Sequence, residues 1–334
     1  MKIRKILVAA GIATLFATGA QAQTCTLAQM ASLDMTVLPD GRFAVPVSIN
    51  GTAHEFMVDT SGVYTEIGEP AARKLGLKEA ETNATMYGVG GKMKIYATRV
   101  DSFKIGNNEA KGFHLAVNAS KEFSGNEESS PGTMVIDGLL APDLLNLFDV
   151  ELDFAAKKMN LFSQDHCPGK VTYWTRGGFA QLPFHYTGGT IATVPHVDIE
   201  MTLDGQSMTT DLDTGSANSW LRESAASRLF GIDDKSPGVV KSPLSSDTFP
   251  MFRKQFASLT MDGLTVQNPQ IDLISNAEEN AFRMDHSEKS RDDPIYGADF
   301  NLEPLTLGMN VLSKLHLYIA YKEHKIYATS ADAH

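Results

Sequence analysis

The sequence predicts an all-β protein built from two similar lobes that face each other across a cleft. Three observations support this prediction: short alternating strands divided by turns, a repeat of the same blocks in both halves, and an Asp-Thr motif at the same place in each repeat. The length of 334 residues suits two domains of about 150 residues each. Hydrophobic residues make up 43% of the chain, which is ordinary for a globular protein.

The first 22 residues have the pattern of a signal peptide. Lys2, Arg4 and Lys5 precede an apolar stretch over residues 6–17, and Ala20-Gln21-Ala22 fits a cleavage site. The alternative is a buried N-terminal strand or helix. No later stretch has the roughly 20 apolar residues of a membrane span. We therefore expect an exported protein, periplasmic or secreted, that has no membrane association after cleavage.

The charge balance excludes nucleic acid as the expected partner. The chain has 29 basic and 40 acidic side chains, and residues 1–22 contain three of the basic ones, so the mature balance is 26 − 40 = −14. Phosphate backbones and anionic membrane surfaces both attract basic proteins. The sequence therefore favours a peptide or protein substrate over either partner.

Two cysteines, Cys25 and Cys167, remain after the predicted cleavage site. Because exported compartments are oxidising, we expect a disulfide that joins the mature N-terminus to the segment after the first lobe. Two free thiols are the alternative.

The repeat is anchored by Asp59-Thr60-Ser61-Gly62 and Asp213-Thr214-Gly215-Ser216, which are offset by 213 − 59 = 154 residues. A pair of alternating strands precedes each motif. An Asn50-Gly51 turn joins the first pair, and an Asp204-Gly205 turn joins the second. Such dipeptides between alternating runs predict β-hairpins.

Two further blocks follow each motif in the same order. Short amphipathic helices are predicted over residues 69–75 and 222–229, and Gly76 and Gly231 provide their C-terminal stops. Residues 140–145 then match residues 307–312 with an offset of 167, so the second half has about 13 extra residues, 167 − 154, which we place within 276–293. Pro168 and Gly169 break the pattern, and the predicted lobes are residues 23–165 and 170–334.

Packing of the two repeats about a pseudo-twofold axis would bring Asp59 and Asp213 together. Two carboxylates at hydrogen-bond distance share a proton, because ionising both is costly. The ionised group can activate a water molecule while the protonated group polarises a carbonyl. This combination suits hydrolysis of an amide without a covalent intermediate.

The chain resembles the retropepsin-like and pepsin-like aspartic proteases, especially the bacterial exported group. Residues 213–221 look like the D-T-G-S-x-N-x-W motif of pepsin-like enzymes, and Tyr87-Gly88-Val89-Gly90-Gly91 looks like the flap turn of that superfamily. The resemblance implies the two-lobed acid-protease fold, an aspartic endopeptidase that uses Asp59 and Asp213, and no metal or organic cofactor. The resemblance also assigns roles to two groups of residues. The two Asp loops would be supported by Thr60, Ser61, Gly62, Thr214, Gly215 and Ser216. A substrate-binding flap would be formed by Tyr87, Gly88, Gly90 and Gly91.

The chain departs from this family pattern at two positions beside the carboxylates. Ser61 stands where the family has Gly, and a positive φ there would cost Ser about 1 kcal/mol. Asp211 stands on the same strand face as Asp213, where an apolar residue is usual. These departures support a second hypothesis, a peptide-binding module without catalysis on the same scaffold. A glycosidase with two carboxylates about 5–9 Å apart is a third. Because the internal repeat replaces a dimer of single lobes, we expect a monomer.

Overall fold

β-Strands form most of the regular structure of the computed structural model, which describes residues 26–88, 91–119, 123, 136–188, 193–245, 250–274 and 303–333. The strands of the first half are β1 (Gln29–Asp34), β2 (Thr36–Val37), β3 (Phe43–Ile49), β4 (Thr52–Val58), β5 (Glu66–Gly68), β6 (Ala80–Gly88), β7 (Gly91–Ile105), β8 (Asn108–Asn118), β9 (Gly138–Leu140), β10 (Asp149–Asp153) and β11 (Lys158–Phe162).

The second half repeats this architecture. Its strands are β12 (Ala180–Gly188), β13 (Thr193–Leu203), β14 (Gln206–Leu212), β15 (Trp220–Arg222), β16 (Val239–Lys241), β17 (Met251–Gln255), β18 (Ser258–Met261), β19 (Leu264–Gln267), β20 (Gln270–Ile274), β21 (Leu305–Leu307), β22 (Leu315–Ala320) and β23 (Lys325–Ser330). The helices are α1 (Glu69–Lys74), α2 (Pro142–Leu145), α3 (Glu223–Phe230), α4 (Met309–Leu312) and a 3-10 turn, Tyr321–Glu323.

The hairpins that precede the two Asp motifs have the predicted turns. Asn50 and Gly51 have φ values of 50° and 87°, and Asp204 and Gly205 have values of 42° and 83°. Two successive residues with positive φ are typical of a type I′ turn, whose twist matches that of the flanking strands. The turns therefore set the register in which β3 pairs with β4 and β13 pairs with β14.

The two halves share an unusual strand topology. In the first, β9 runs parallel to β4 and antiparallel to β5, and β5 runs parallel to β8. In the second, β21 runs parallel to β14 and antiparallel to β15, and β15 runs parallel to β20. The helices α1 and α3 begin directly after β5 and β15, as the repeat predicts.

Six strands in the order β1-β11-β10-β22-β23-β12, at one end of a 15-stranded sheet, join the halves. At the centre of these six strands, Val150 pairs with Ile319 and Leu152 pairs with Leu317. Because 317 − 150 and 319 − 152 both equal the repeat offset of 167, the pairing is symmetric. The pseudo-twofold axis thus passes between β10 and β22, and the predicted all-β fold with two lobes is confirmed.

Three predictions fall on residues outside the described part of the chain. They are the signal peptide over residues 1–22, the Cys25 end of the predicted disulfide, and the insertion within 276–293. The described residues contain no free cysteine. Within the same residues, no helix is long and apolar enough to cross a membrane.

Candidate active site

The two Asp loops begin in the same way in both lobes. Asp59 follows β4, and its backbone N–H donates to the carbonyl of Leu140 at 3.0 Å. Asp213 follows β14, and its N–H donates to the carbonyl of Leu307 at the same distance, 3.0 Å. Each aspartate is therefore fixed at the end of its strand by the neighbouring parallel strand, β9 or β21.

A symmetric set of hydrogen bonds between Thr60 and Thr214 joins the loops. Each backbone N–H donates to the other threonine's Oγ1 at 3.1 Å. The Thr60 hydroxyl donates to the carbonyl of Leu212 at 2.5 Å, and the Thr214 hydroxyl donates to that of Val58 at 2.7 Å. Both threonines are buried, so four bonds that cross between the lobes hold the aspartates in fixed relation.

A second symmetric pair supports each loop from behind. The backbone N–H and hydroxyl of Thr65 donate to Asp143 Oδ1 at 2.9 and 2.6 Å. In the other lobe, the N–H and hydroxyl of Ser219 donate to Asn310 Oδ1 at 2.8 and 2.7 Å. Burial raises the pKa of Asp143, which favours the neutral acid, the form closest to an asparagine. The repeat thus preserves the hydrogen-bond pattern although both residue types change.

Gly215 leaves room for the carboxyl group of Asp59. A Cβ on Gly215 would lie 2.6 Å from Asp59 Cγ and 2.7 Å from its Oδ1. Gly62, on the other side, would bring a Cβ to 3.0 Å from Asp59 Oδ2. The Asp59 carboxyl therefore lies directly against the backbone of the Asp213 loop, and Gly215 is required by close approach rather than by φ.

Backbone N–H groups of the loops hydrogen-bond both carboxyls. The Ser61 N–H donates to Asp59 Oδ1 at 3.0 Å, and the backbones of Gly215 and Ser216 hydrogen-bond the Asp213 carboxyl. The Ser216 hydroxyl donates instead to the carbonyl of Asn218 at 2.8 Å. The loops thus orient both acids, and the Ser216 side chain fixes the shape of its own loop.

Burial and the neighbouring acids oppose the ionisation of both Asp59 and Asp213 at once. Burial raises the pKa of Asp213 well above its ordinary value, and the neighbouring carboxyls of Asp59 and Asp211 raise it further. The backbone bonds from the loop act in the opposite direction but are weaker. A carboxyl that keeps its proton beside a second carboxyl can act as the acid while its partner acts as the base.

Ser61 fits its loop without backbone strain. Its φ is outside the positive range, as are those of Gly62 and Gly215, so the expected strain cost of Ser at this position is absent. Its hydroxyl donates to Asp211 Oδ2 at 2.6 Å. The two departures from the family pattern therefore contact each other.

Two side chains that the sequence did not single out also contact the Asp loops. His196 on β13 hydrogen-bonds the Gly62 backbone, and burial lowers its pKa to about 4. Arg42 donates from Nη1 to the carbonyl of Gly215 at 3.0 Å, and Asp40 pairs with its guanidinium. Neither residue lies in a repeated motif, so only the contact between the lobes identifies them.

The predicted flap is a β-hairpin. Its strands β6 and β7 pair Tyr87 with Lys92 and Gly88 with Gly91. Gly90 and the side chain of Tyr87 lie outside the described residues, so their contact with a substrate stays a prediction. In the described part of the chain, no group of three His, Cys, Asp or Glu side chains is placed to bind a metal ion.

Comparison with known proteins gives a family match and a structural similarity. Residues 45–143, from β3 to α2, match the family model described as aspartyl protease. No curated protein matches the chain. The chain is also similar to the solved structure of aspartic proteinase from Irpex lacteus, with 14% sequence identity and a TM-score of 0.49, over 90% of this chain and 97% of that one. The segment matched by the family model contains Asp59 and the flap hairpin.

Proposed function

We propose that this chain, whose residues 45–143 match the aspartyl protease family model, is an aspartic endopeptidase with Asp59 and Asp213 as its catalytic pair. The observation that supports this most directly is the symmetric threonine network, which joins the two Asp loops across the lobes. The raised pKa of Asp213 supports the same assignment, because the reaction needs one protonated and one ionised carboxyl.

In the proposed reaction, a water molecule bound between the two carboxyls attacks the carbonyl carbon of a peptide bond. The ionised carboxylate accepts a proton from the water, and the protonated one donates its proton to the carbonyl oxygen. The C–N bond of the resulting tetrahedral intermediate breaks as the carboxyl that took the proton from water donates it to the leaving nitrogen. The other carboxylate takes a hydroxyl proton from the intermediate, which leaves as a carboxylic acid product. Both carboxyls then return to the starting state, so the cycle needs no metal or organic cofactor.

The substrate of this reaction is an extended peptide or an unfolded protein segment. A cleft covered by a hairpin can bind an extended chain through backbone hydrogen bonds, as in strand addition. This mode selects unfolded segments, because the backbone of a folded substrate is already paired. We further propose that the protein is exported, to the periplasm or outside the cell, and acts as a monomer.

The test is cleavage of a denatured protein substrate between pH 3 and pH 8. Asp59→Asn and Asp213→Asn should each lower kcat by about a thousandfold or more, because each removes one proton-transfer group. Asp101→Asn, at a side chain that is 92% exposed, is the matched control and should leave the rate unchanged.

Each other outcome favours a different function. A folded wild type that binds an unfolded peptide but leaves it intact at every pH would favour the peptide-binding module. Hydrolysis of a glycoside, lost in the same Asn variants, would favour the glycosidase. Cleavage of the protein substrate that survives either substitution would exclude the pair as the catalytic centre.

A further inference from the structure

Asp211 links the two Asp loops through a contact that is additional to the threonine network. It lies on β14, two residues before Asp213, and its Oδ2 accepts the hydroxyl of Ser61 at 2.6 Å. Ser61 is two residues beyond Asp59 in the other lobe, and its N–H donates to the Asp59 carboxyl. One residue therefore bonds Asp59 with its backbone and Asp211 with its side chain.

Asp211 is also part of a cluster of acids beside the candidate catalytic pair. Asp198 on β13 is its direct partner across the antiparallel strands, so the two side chains share a face. Three other acids lie around it: Asp59 from the first loop, Asp213 after its own strand, and Glu303 before β21. Arg222 of β15 lies beside Glu303.

The hydrogen bonds of Asp211 suit a protonated carboxyl. Oδ2 receives the Ser61 hydroxyl, whereas the buried Oδ1 has no donor among the described residues. A buried ionised oxygen without a donor is costly, and protonation removes most of that cost. Burial and the neighbouring carboxyls raise the pKa of Asp211 to about 8, and the Ser61 bond opposes this rise. Burial and two other acids likewise raise the pKa of Glu303 to about 7.

We propose that Asp211 is a positioning residue of the Asp59–Asp213 pair, which holds the Asp59 loop through Ser61 and extends the working range of the pair towards neutral pH. This inference rests on the proposed endopeptidase function. In this interpretation, the two departures from the family pattern, Ser61 and Asp211, act together and support catalysis.

The extension towards neutral pH follows from competition for protons within one cluster. As pH rises, whichever carboxyl ionises first repels the loss of the remaining protons. With an apolar residue at position 211, such repulsion would act only between Asp59 and Asp213. With Asp211 present, the last proton of the pair is retained to higher pH, and the acid form needed for catalysis persists.

Asp211→Asn separates the charge of Asp211 from its hydrogen bond. The amide oxygen can still accept the Ser61 hydroxyl, and a neutral amide resembles the protonated carboxyl present at low pH. We expect kcat within about twofold of wild type near pH 4, and an alkaline limb of the pH–rate profile that lies about one pH unit lower. Asp101→Asn is again the control for loss of one exposed acid.

Ser61→Ala separates the hydrogen bond from the charge. Loss of the hydroxyl frees the Asp59 loop, so we expect kcat to fall about tenfold at every pH with little change in KM. In an Asp211→Leu background, where Ser61 has no carboxyl to bond, the same substitution should have no further effect on kcat. Additive losses in the double variant would show that the contact does not act on the loop.

The third measurement is independent of catalysis. Because the pKa of Asp211 is higher in the folded state than in the unfolded chain, this carboxyl destabilises the fold increasingly as pH rises from about 4 to about 8. The thermal midpoint of Asp211→Asn, measured relative to that of wild type, should therefore increase as pH rises over that range. A difference that is constant with pH, or an active variant whose alkaline limb does not move, would overturn the inference. A wild type that cleaves nothing but shows the pH-dependent difference would reject the endopeptidase function alone, because Asp211 would still hold its proton.

Discussion

At the scale of single residues, glycine and serine at equivalent positions of the repeat meet different surroundings. Gly215 lies against the Asp59 carboxyl, where even a methyl group would overlap it. Ser61, its counterpart in the first lobe, carries a side chain that is directed to Asp211. The pseudo-symmetry of the backbone is therefore stricter than the symmetry of the side chains.

Gly215→Ala tests the close approach of the two loops. The added methyl would be 2.6 Å from Asp59 Cγ, so the carboxyl or the loop must move. We expect kcat to fall about a hundredfold or more, because catalytic groups tolerate little displacement. The free energy of unfolding should fall by about 1–3 kcal/mol.

Gly178→Ala is the matched control for this substitution. Its added Cβ would meet no atom within 4 Å, so activity and stability should both stay at the wild-type level. An active Gly215→Ala variant with unchanged kcat would mean that the loops are farther apart than described.

At the scale of elements, the central strands β10 and β22 join the lobes through side chains as well as backbone. His316 on β22 contacts Glu151 on β10, with Nε2 and Oε1 2.9 Å apart, and both side chains are buried. Tyr173 donates to the other carboxylate oxygen of Glu151 at 2.6 Å. Trp174 stacks on the His316 ring with a centroid distance of 4.4 Å. The buried pair Glu151 and His316, with the two partly exposed aromatic rings beside it, forms only when the lobes are joined.

His316→Ala should destabilise the whole molecule. It removes a buried partner of Glu151 and leaves that carboxylate with less compensation, which costs about 3 kcal/mol. The stacked face of Trp174 is lost as well. The measurement is the free energy of unfolding in urea, with His114→Ala on the exposed surface of β8 as control. Equal stability of the two variants would contradict a structural role for the cluster.

At the scale of the whole molecule, several acids with raised pKa values lie near the Asp loops, although the chain as a whole is negatively charged. The formal net charge is −11 at pH 7, yet burial and neighbouring acids raise the pKa values of Asp211, Asp213 and Glu303. A group whose pKa is higher in the folded state stabilises the fold at low pH and loses this effect as pH rises. The fold should therefore be more stable at pH 5 than at pH 8.

Glu303→Gln should weaken this pH dependence. The pKa of Glu303 is about 7, above the ordinary value near 4.5, so the contribution of this group is lost as pH rises through 7. We expect the difference in thermal midpoint between pH 5 and pH 8 to shrink in the variant. In Glu109→Gln the difference should persist, because the Ser102 hydroxyl lowers the pKa of Glu109. Equal pH dependence in wild type and Glu303→Gln would contradict the raised pKa.

The sequence by itself determined the repeated framework of this protein. The hairpin turns at Asn50-Gly51 and Asp204-Gly205, the helix stops at Gly76 and Gly231, and the place of each Asp motif were all predicted. These features depend on local backbone preferences, which a short stretch of sequence contains. The repeat then predicted the pairing of the two halves, because similar sequence blocks fold into similar lobes.

Only the tertiary structure decided how the two Asp loops are held. The bonds of Ser61 to Asp211, of His196 to Gly62 and of Arg42 to Gly215 all cross between the lobes. Their partners lie more than 130 residues apart in the sequence, so no local pattern contains them. The reason is physical: such contacts depend on how two folded surfaces meet, and that is fixed by the packing of β10 on β22 rather than by either loop alone.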